Sequence, residues 1–353
     1  MRNAPGIVAL LGSGETSAAG GLVFEAVARR LGERPLIGIL ETPAGFELNT
    51  HRVAGRVAEY LSVRLQNYQP QIRLIPARKR HSAFSTDDPD ICGAILTSNV
   101  IFFGPGSPSY TVCQLSGSLA WDYIQARHRL GATVALASAA TIALGVKALP
   151  VYEIYKVGED PYWKDGLDFF SPFGLSLVIV PHWNNAEGGT EVDTSRCFVG
   201  QVRFDPLAAQ LDPSITILGL DEHTGLLIDF PGEVCQVIGK GEVHLVKGGE
   251  QQSFSSDTSF SIHELGNYHP LVEISQGIDP ANWQTVLQAS QAPQNEKLNP
   301  LPPLEVMELL EKRRQARQAK EWRKSDELRD RILEIGWKVV DTPEGQKLQQ
   351  PDN

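Results

Sequence analysis

Cysteine is scarce and scattered. The four thiols, Cys92, Cys113, Cys197 and Cys235, lie far apart and form no CxxC pair. That spacing argues against a structural zinc knuckle or a disulfide framework, and reduced thiols of a cytoplasmic protein are the plain reading. No metal and no cofactor is expected. Long apolar runs are missing too. None approaches 18 residues, so no membrane span is expected. The first run, Ile7–Leu11, ends in Gly12-Ser13-Gly14-Glu15; it is too short for a signal-peptide core and reads as a buried strand. Positive charge is in deficit, 32 Lys and Arg against 42 Asp and Glu. The net charge of −10 excludes binding of nucleic acid by the whole surface but leaves a local basic patch open. What the chain does have is core material. Hydrophobic residues are 42% and charged residues only 21% of 353, too little charge for a disordered chain.

At about 150 residues per domain the length allows about 2.4 domains. The first 275 residues alternate short apolar runs with amphipathic stretches. Apolar Ile7–Leu11, Pro35–Leu40, Ile72–Ile75, Val100–Phe103 and Thr133–Ala137 are separated by stretches of helical pattern. The expected helices are Gly21–Leu31, Thr50–Leu61, Thr111–His128 and Ala139–Leu149, with a polar loop and a helical turn before Val100. This alternation predicts an α/β fold with three layers around a mostly parallel sheet. After Ser176–Val180 the runs Ile215–Leu220, Gly225–Asp229, Glu233–Gly239 and Glu242–Lys247 are divided by Gly, Pro or Asp, which is meander or hairpin chemistry. Residues 276–303 are polar and proline-punctuated and read as a linker. Beyond them, residues 304–353 read as a small helical module. A helix is expected over Leu304–Lys324, a second capped by Ser325 and closed by Gly336, then a short strand Trp337–Val340 and the turn Asp341-Thr342-Pro343-Glu344-Gly345.

Three strand ends carry chemistry. In Gly131-Ala-Thr-Val-Ala-Leu-Ala-Ser138-Ala-Ala-Thr-Ile-Ala-Leu-Gly145 an apolar strand ends on a serine and small residues open a helix. Such a turn exposes the hydroxyl at the carboxyl edge of the sheet and aims the Ala139 N–H where an oxyanion would form. Alone, the stretch fits a helix-capping serine equally well. Val100-Ile-Phe-Phe-Gly104-Pro105-Gly106-Ser107 is a strand entering a glycine-rich turn that can present a second N–H, that of Gly106. Leu177-Val-Ile-Val-Pro181-His182-Trp183-Asn184 places an imidazole just past a third strand. Strand ends of a parallel sheet gather along one edge. A nucleophile, an oxyanion turn and a base on that edge point to acyl transfer.

These residues, in this order, resemble the serine peptidase family of aspartyl dipeptidase and cyanophycinase, over residues 1 to about 245. The resemblance implies a class I glutamine amidotransferase-like, flavodoxin-like fold. It also implies a triad of Ser138, His182 and Glu222, the last from Ile217-Leu-Gly-Leu-Asp221-Glu222-His-Thr-Gly-Leu226, with Asp221 a less favoured third member. The family elbow is Gly-x-Ser-Ala-Gly, whereas Leu136 and Ala140 stand at the glycine positions here, and Pro105 replaces a glycine of the oxyanion turn. A Cβ restricts a strained turn, and proline removes a donor. Serine at the elbow argues against a glutaminase. The family's substrates are acidic peptides, which implies cations near the nucleophile. Arg196 and Arg203, on an expected helix after His182, are the candidates, unless they are ordinary surface residues.

In the C-terminal module Arg313, Arg317, Lys320 and Lys324 are spaced to share one helix face. That face is either solvated surface or a contact for RNA phosphates. The segment Glu311-Lys-Arg-Arg-Gln-Ala-Arg317 … Trp322-Arg-Lys-Ser-Asp326-Glu-Leu-Arg329-Asp330 … Asp341-Thr-Pro-Glu-Gly345 resembles the C-terminal, anticodon-binding extremity of cysteinyl-tRNA synthetases. Neither nucleotide motif of their catalytic domain is present, so aminoacylation is not expected. Two readings result: a serine hydrolase on small or β-linked acidic peptides carrying a tRNA-binding tail, and a non-catalytic adaptor whose amidotransferase-like domain binds a ligand.

Overall fold

The computed structural model describes residues 4–291, 303–342 and 345–349, and the chain divides into two compact units, Met1–Ala292 and Pro293–Asn353. The large unit begins with β1 (Ile7–Leu11), α1 (Ala18–Leu31), β2 (Leu36–Leu40), α2 (Thr50–Arg64) and β3 (Gln71–Ile75). Next come α3 (Pro89–Thr97), β4 (Val100–Phe103), α4 (Pro108–Leu115), α5 (Leu119–Arg129) and β5 (Thr133–Ala137). The five strands pair in parallel in the order β1-β5-β4-β2-β3. Their period of two sorts the side chains. Ala9, Leu11, Ile37, Ile39, Phe102 and Ala137 pack against Val23, Phe24 and Val27 of α1 and Val57 and Leu61 of α2. Helices α3 and α5 cover the opposite face, which completes three layers of an α/β fold.

A short helix α6 (Ala139–Ala143) follows β5, and the chain then builds a second sheet. Its first members are β6 (Lys147–Ala148), β7 (Lys164–Asp165) and β8 (Leu177–Val180); after α7 (Gln201–Ala208) comes β9 (Thr216–Leu220). The strands β10 (Thr224–Asp229), β11 (Val234–Gly239), β12 (Glu242–Lys247), β13 (Glu250–Ser255) and β14 (Ser259–Ser261) are then shared out. β10, β11 and β14 extend the first sheet antiparallel from β1, and the second sheet runs β13-β12-β9-β8-β6-β7. The single expected sheet is thus two. The turn Asp221-Glu222-His223 crosses between them, because β9 and β10 belong to different sheets.

Several elements differ from the sequence reading. The expected helix Thr111–His128 is α4 and α5, divided at Gly117 (φ 63°), with Ser118 accepting from the Trp121 N–H as the cap of α5. Helix α6 stops at Ala143 instead of Leu149, because the chain turns back to set Lys147 beside Val178 in parallel. Residues 280–291 of the expected linker form α8 (Pro280–Gln291), capped by Asp279 and packed on α3 and α5 through Trp283 and Val286. Residues 292–302 of that stretch lie outside the described residues.

The small unit holds α9 (Leu304–Gln318), α10 (Trp322–Glu334), β15 (Lys338–Thr342) and β16 (Gly345–Gln349). Its core is Val306, Leu309, Leu310, Ala316, Leu328, Ile332 and Trp337. The first helix ends early, with Lys320 in the left-handed region at φ 60°. Ser325, expected as a cap, is buried inside α10, while Gly336 (φ 86°) follows the helix end as expected. β15 and β16 form a hairpin that the sequence reading took only as strand and turn, and Pro343 and Glu344 of that turn lie outside the described residues.

Candidate active site

β5 delivers Ser138 to the sheet edge and α6 starts at the next residue. Ser138 has φ 52° and ψ −114°, and its side chain makes no capping hydrogen bond. A non-glycine residue in that region stores strain, of order 1–3 kcal/mol, which surrounding contacts must hold. They are visible. The Ser138 N–H donates to Leu11 O at 3.3 Å, and the Ala140 N–H donates to Gly104 O at 3.4 Å. Leu136 and Ala140 are fully buried, so the side chains at the two glycine positions of the family elbow fill core space while the turn still forms.

Ser138 Oγ lies 3.2 Å from His182 Nε2, and His182 Nδ1 lies 2.8 Å from Glu222 Oε1. His182 also has a positive φ of 50°, and its N–H donates to Gly12 O at 3.2 Å, which gives the early glycine-rich turn a place beneath the site. Two asparagines that sequence reasoning did not assign hold the acid. Asn185 Nδ2 donates to Glu222 Oε1 at 2.9 Å, and the Glu222 N–H donates to Asn184 Oδ1 at 2.8 Å. Burial pushes the Glu222 carboxyl up. The hydrogen bonds from His182 and Asn185 and the charges of His182 and His223 outweigh it and hold the group below its ordinary value. The ring of Phe198 stands 5.4 Å from that of His182.

The turn expected to receive an oxyanion is built at close quarters. Gly106 has φ 151°, and a Cβ there would come within 1.9 Å of Pro43 O. The Ser107 N–H donates to the same carbonyl at 3.0 Å. Among the described residues neither the Gly106 nor the Ala139 N–H donates a backbone hydrogen bond, so both amides remain available to a ligand.

The two arginines expected to bind substrate are engaged elsewhere. Arg196 is in a left-handed turn, not on a helix; its guanidinium lies 3.8 Å over the Trp183 ring and donates to Trp183 O at 3.0 Å. Arg203, on α7, donates to Val199 O at 2.6 Å and Phe198 O at 3.4 Å. Asp221 faces away from His182 and meets His244 instead. Among the described residues no group of three or more His, Cys, Asp or Glu could hold a metal ion, and no helix is long and apolar enough to cross a membrane.

In the small unit the structure sends Arg313 inward. It is 1% exposed and pairs with both oxygens of Asp341, at 2.9 and 3.1 Å, and with Gln346, so it is not part of a surface for phosphate. The four-residue spacing put it on the face of Arg317, but its guanidinium is drawn into the unit by a carboxylate on β15. Arg317 lies 3.5 Å from the same carboxylate and Lys324 pairs with Glu321 at 3.0 Å, while Lys320 is exposed. Trp322, at the break between α9 and α10, is 57% exposed.

Residues 299–348 match the family of the cysteinyl-tRNA ligase anticodon binding domain. No curated protein matches the chain. Among solved structures, a peptidase from an acI-B1 Actinobacterium aligns with a TM-score of 0.58 at 20% identity, over 73% of this chain and 97% of that one. A candidate peptidase E protein from Listeria monocytogenes EGD-e aligns with a TM-score of 0.42 at 12% identity, over 71% and 99%. The first of these likenesses shows a shared α/β fold.

Proposed function

We propose that the chain is a serine hydrolase, a peptidase of small or β-linked acidic peptides, joined to a module that contacts tRNA. The observation that carries the first part is the unbroken chain from Ser138 Oγ through His182 to Glu222, set on two residues with strained backbones. In this reading Ser138 Oγ attacks the scissile carbonyl carbon as His182 Nε2 takes its proton. Glu222 accepts the Nδ1–H bond, which keeps Nε2 free as a base and stabilises the imidazolium that forms. The amides of Gly106 and Ala139 receive the oxyanion, doing the work of two donors even with Pro105 silent. Collapse expels the amine with the proton from His182, and water then releases the acyl group by the same path. The acidic substrate class rests on the family resemblance, since a carboxylate would have to draw Arg196 from Trp183 or Arg203 from its two carbonyls.

The test is labelling with a serine-reactive fluorophosphonate, wild type against Ser138→Ala, alongside hydrolysis of aspartyl dipeptides. A Ser138-dependent adduct is expected. Equal labelling of the two proteins, with no peptide cleaved, overturns the hydrolase reading.

A further inference from the structure

The two turns that meet at the site are tied together a second time, from behind. His182 is followed by Trp183, and Glu222 is preceded by Asp221. One of each pair of neighbours, His182 and Glu222, shares the 2.8 Å hydrogen bond of the site. The others, Trp183 and Asp221, converge on His244. This residue sits on β12 opposite Gly219 of β9, and it is 8% exposed. Its Nε2 lies 3.1 Å from Asp221 Oδ1, and its ring stacks on the Trp183 indole with centroids 5.6 Å apart and planes at 23°. Asp221 Oδ2 accepts the Glu242 N–H at 2.9 Å, and His244 Nδ1 meets Ser253 Oγ at 2.8 Å and Gln251 Nε2 at 3.2 Å. A neutral imidazole therefore has both nitrogens satisfied, Nε2–H donating to the carboxylate and Nδ1 accepting. The Trp183 residue is held at both levels. Its backbone N–H donates to Leu220 O at 3.0 Å, and a Cβ on Gly219 would come within 2.5 Å of the indole ring.

Ser253, His244 and Asp221 have the composition of another triad, but not its geometry. Ser253 lies within the edge strand β13, with no turn to present it. The cluster holds structure in place; it does not attack.

We infer that His244 is a positioning residue for the site, fixing through Trp183 and Asp221 the distance between the turns that carry His182 and Glu222. This rests on the hydrolase reading for its effect on rate, but not for its effect on geometry. Neighbouring residues on a planar peptide chain cannot shift independently, and misplacement well under 1 Å is felt at a reacting group.

The test compares His244→Phe, which keeps a ring against Trp183 and loses the bond to Asp221, with His244→Gln, which can still donate to Asp221. Two readouts are used on the full chain. One is the downfield Nδ1 proton of His182 in proton NMR, assigned by its loss in Glu222→Gln, which reports the hydrogen bond without any turnover. The other is the rate of Ser138-dependent fluorophosphonate labelling. In His244→Phe the Nδ1 signal of His182 is expected to broaden or vanish and labelling to slow by about 10–100-fold, the size of loss seen for groups that orient metal ligands from behind. For peptide hydrolysis the loss is expected in kcat, with KM unchanged. His244→Gln is expected to restore the signal and most of the rate. Should His244→Phe fail to fold, the paired surface change Ser253→Ala with Gln251→Ala frees Nδ1 and is expected to weaken the signal in the same direction. An unchanged Nδ1 signal in His244→Phe overturns the inference whatever Ser138 does, and so does failure of glutamine to restore it. If Ser138 takes no label while the signal still depends on His244, the hydrolase reading fails and the positioning role stands.

Discussion

In the proposed hydrolase the roles at the site divide by atom. Glu222 gives one oxygen to two donors, His182 Nδ1 and Asn185 Nδ2, and this sharing keeps it ionised below the ordinary carboxylate range. Glu222→Gln keeps the shape but offers His182 an amide, and the wrong tautomer then points a proton at Ser138. Labelling of Ser138 is expected to slow by about 10⁴-fold, as turnover does when the acid of a triad is replaced by its amide. A change smaller than threefold in a time course of adduct formation would remove Glu222 from the mechanism. The nearby thiol is no rival nucleophile. Burial first, and then the charge of Glu222, push the Cys197 pKa up, so the thiolate is not populated near neutral pH. Treatment with iodoacetamide under native conditions is expected to leave Cys197 unmodified by mass spectrometry and Ser138 labelling unchanged.

At the scale of elements, the β4–α4 turn is held by fit, with Gly106 seated against Pro43 O. In Gly106→Ala the new Cβ has no room, so the turn shifts and its amide leaves the proposed oxyanion position. Labelling is expected to fall by about 10²–10³-fold, the usual effect of losing one such donor. Equal labelling of variant and wild type, with thermal unfolding still cooperative, would take Gly106 out of the oxyanion site. The residues at these strand ends were readable in the sequence because each closes a locally apolar run: Phe103 before Gly104, Ala137 before Ser138, Val180 before His182. What escaped was set at a distance. Gly117 is one residue in a helical pattern and marks a break only because Ser118 caps a new helix there. Helix α6 is short because β6 pairs with β8, some 30 residues away. α8 buries only Trp283 and Val286 fully, too few to show a stripe among polar residues. Asn185 and His244 acquire their roles from Glu222 and Asp221, which the fold brings near from other elements.

At the scale of the whole molecule two charge effects separate. The first is a stability effect in the large unit. His128 is fully buried with both ring nitrogens unbonded, among the rings of Phe169, Phe173 and Phe230. Burial pushes its pKa from 6.5 down to about 3, against the smaller raising effect of the Gly6 backbone on the ring. The folded state thus binds this proton less readily than the unfolded one. The neutral ring's contribution is complete above about pH 6.5 and is lost as pH falls toward 3, at about 1.4 kcal/mol per unit. His128→Phe is expected to flatten the acid side of a stability–pH curve from denaturant unfolding, and a slope equal to wild type would assign acid sensitivity to other groups. The second effect concerns the small unit. Residues 304–348 carry eleven basic and ten acidic side chains, so the net acidity of the chain belongs to the large unit. With Arg313 turned inward, Arg317, Lys320 and Lys324 remain of the four cations expected to meet RNA, and the ring of Trp322 is exposed. Phosphates would meet the cations, and an unpaired base would stack on the indole. These contributions have different signatures. Lys320→Gln with Lys324→Gln removes charge only, so it is expected to weaken tRNA binding and reduce the slope of log Kd against log salt by about 2. Trp322→Ala removes the stacking surface, so it is expected to weaken binding by about 1–3 kcal/mol while the salt slope stays as in wild type. Titrations of the full chain with tRNA at several salt concentrations read both, and three superimposable curves would leave this face as solvated surface.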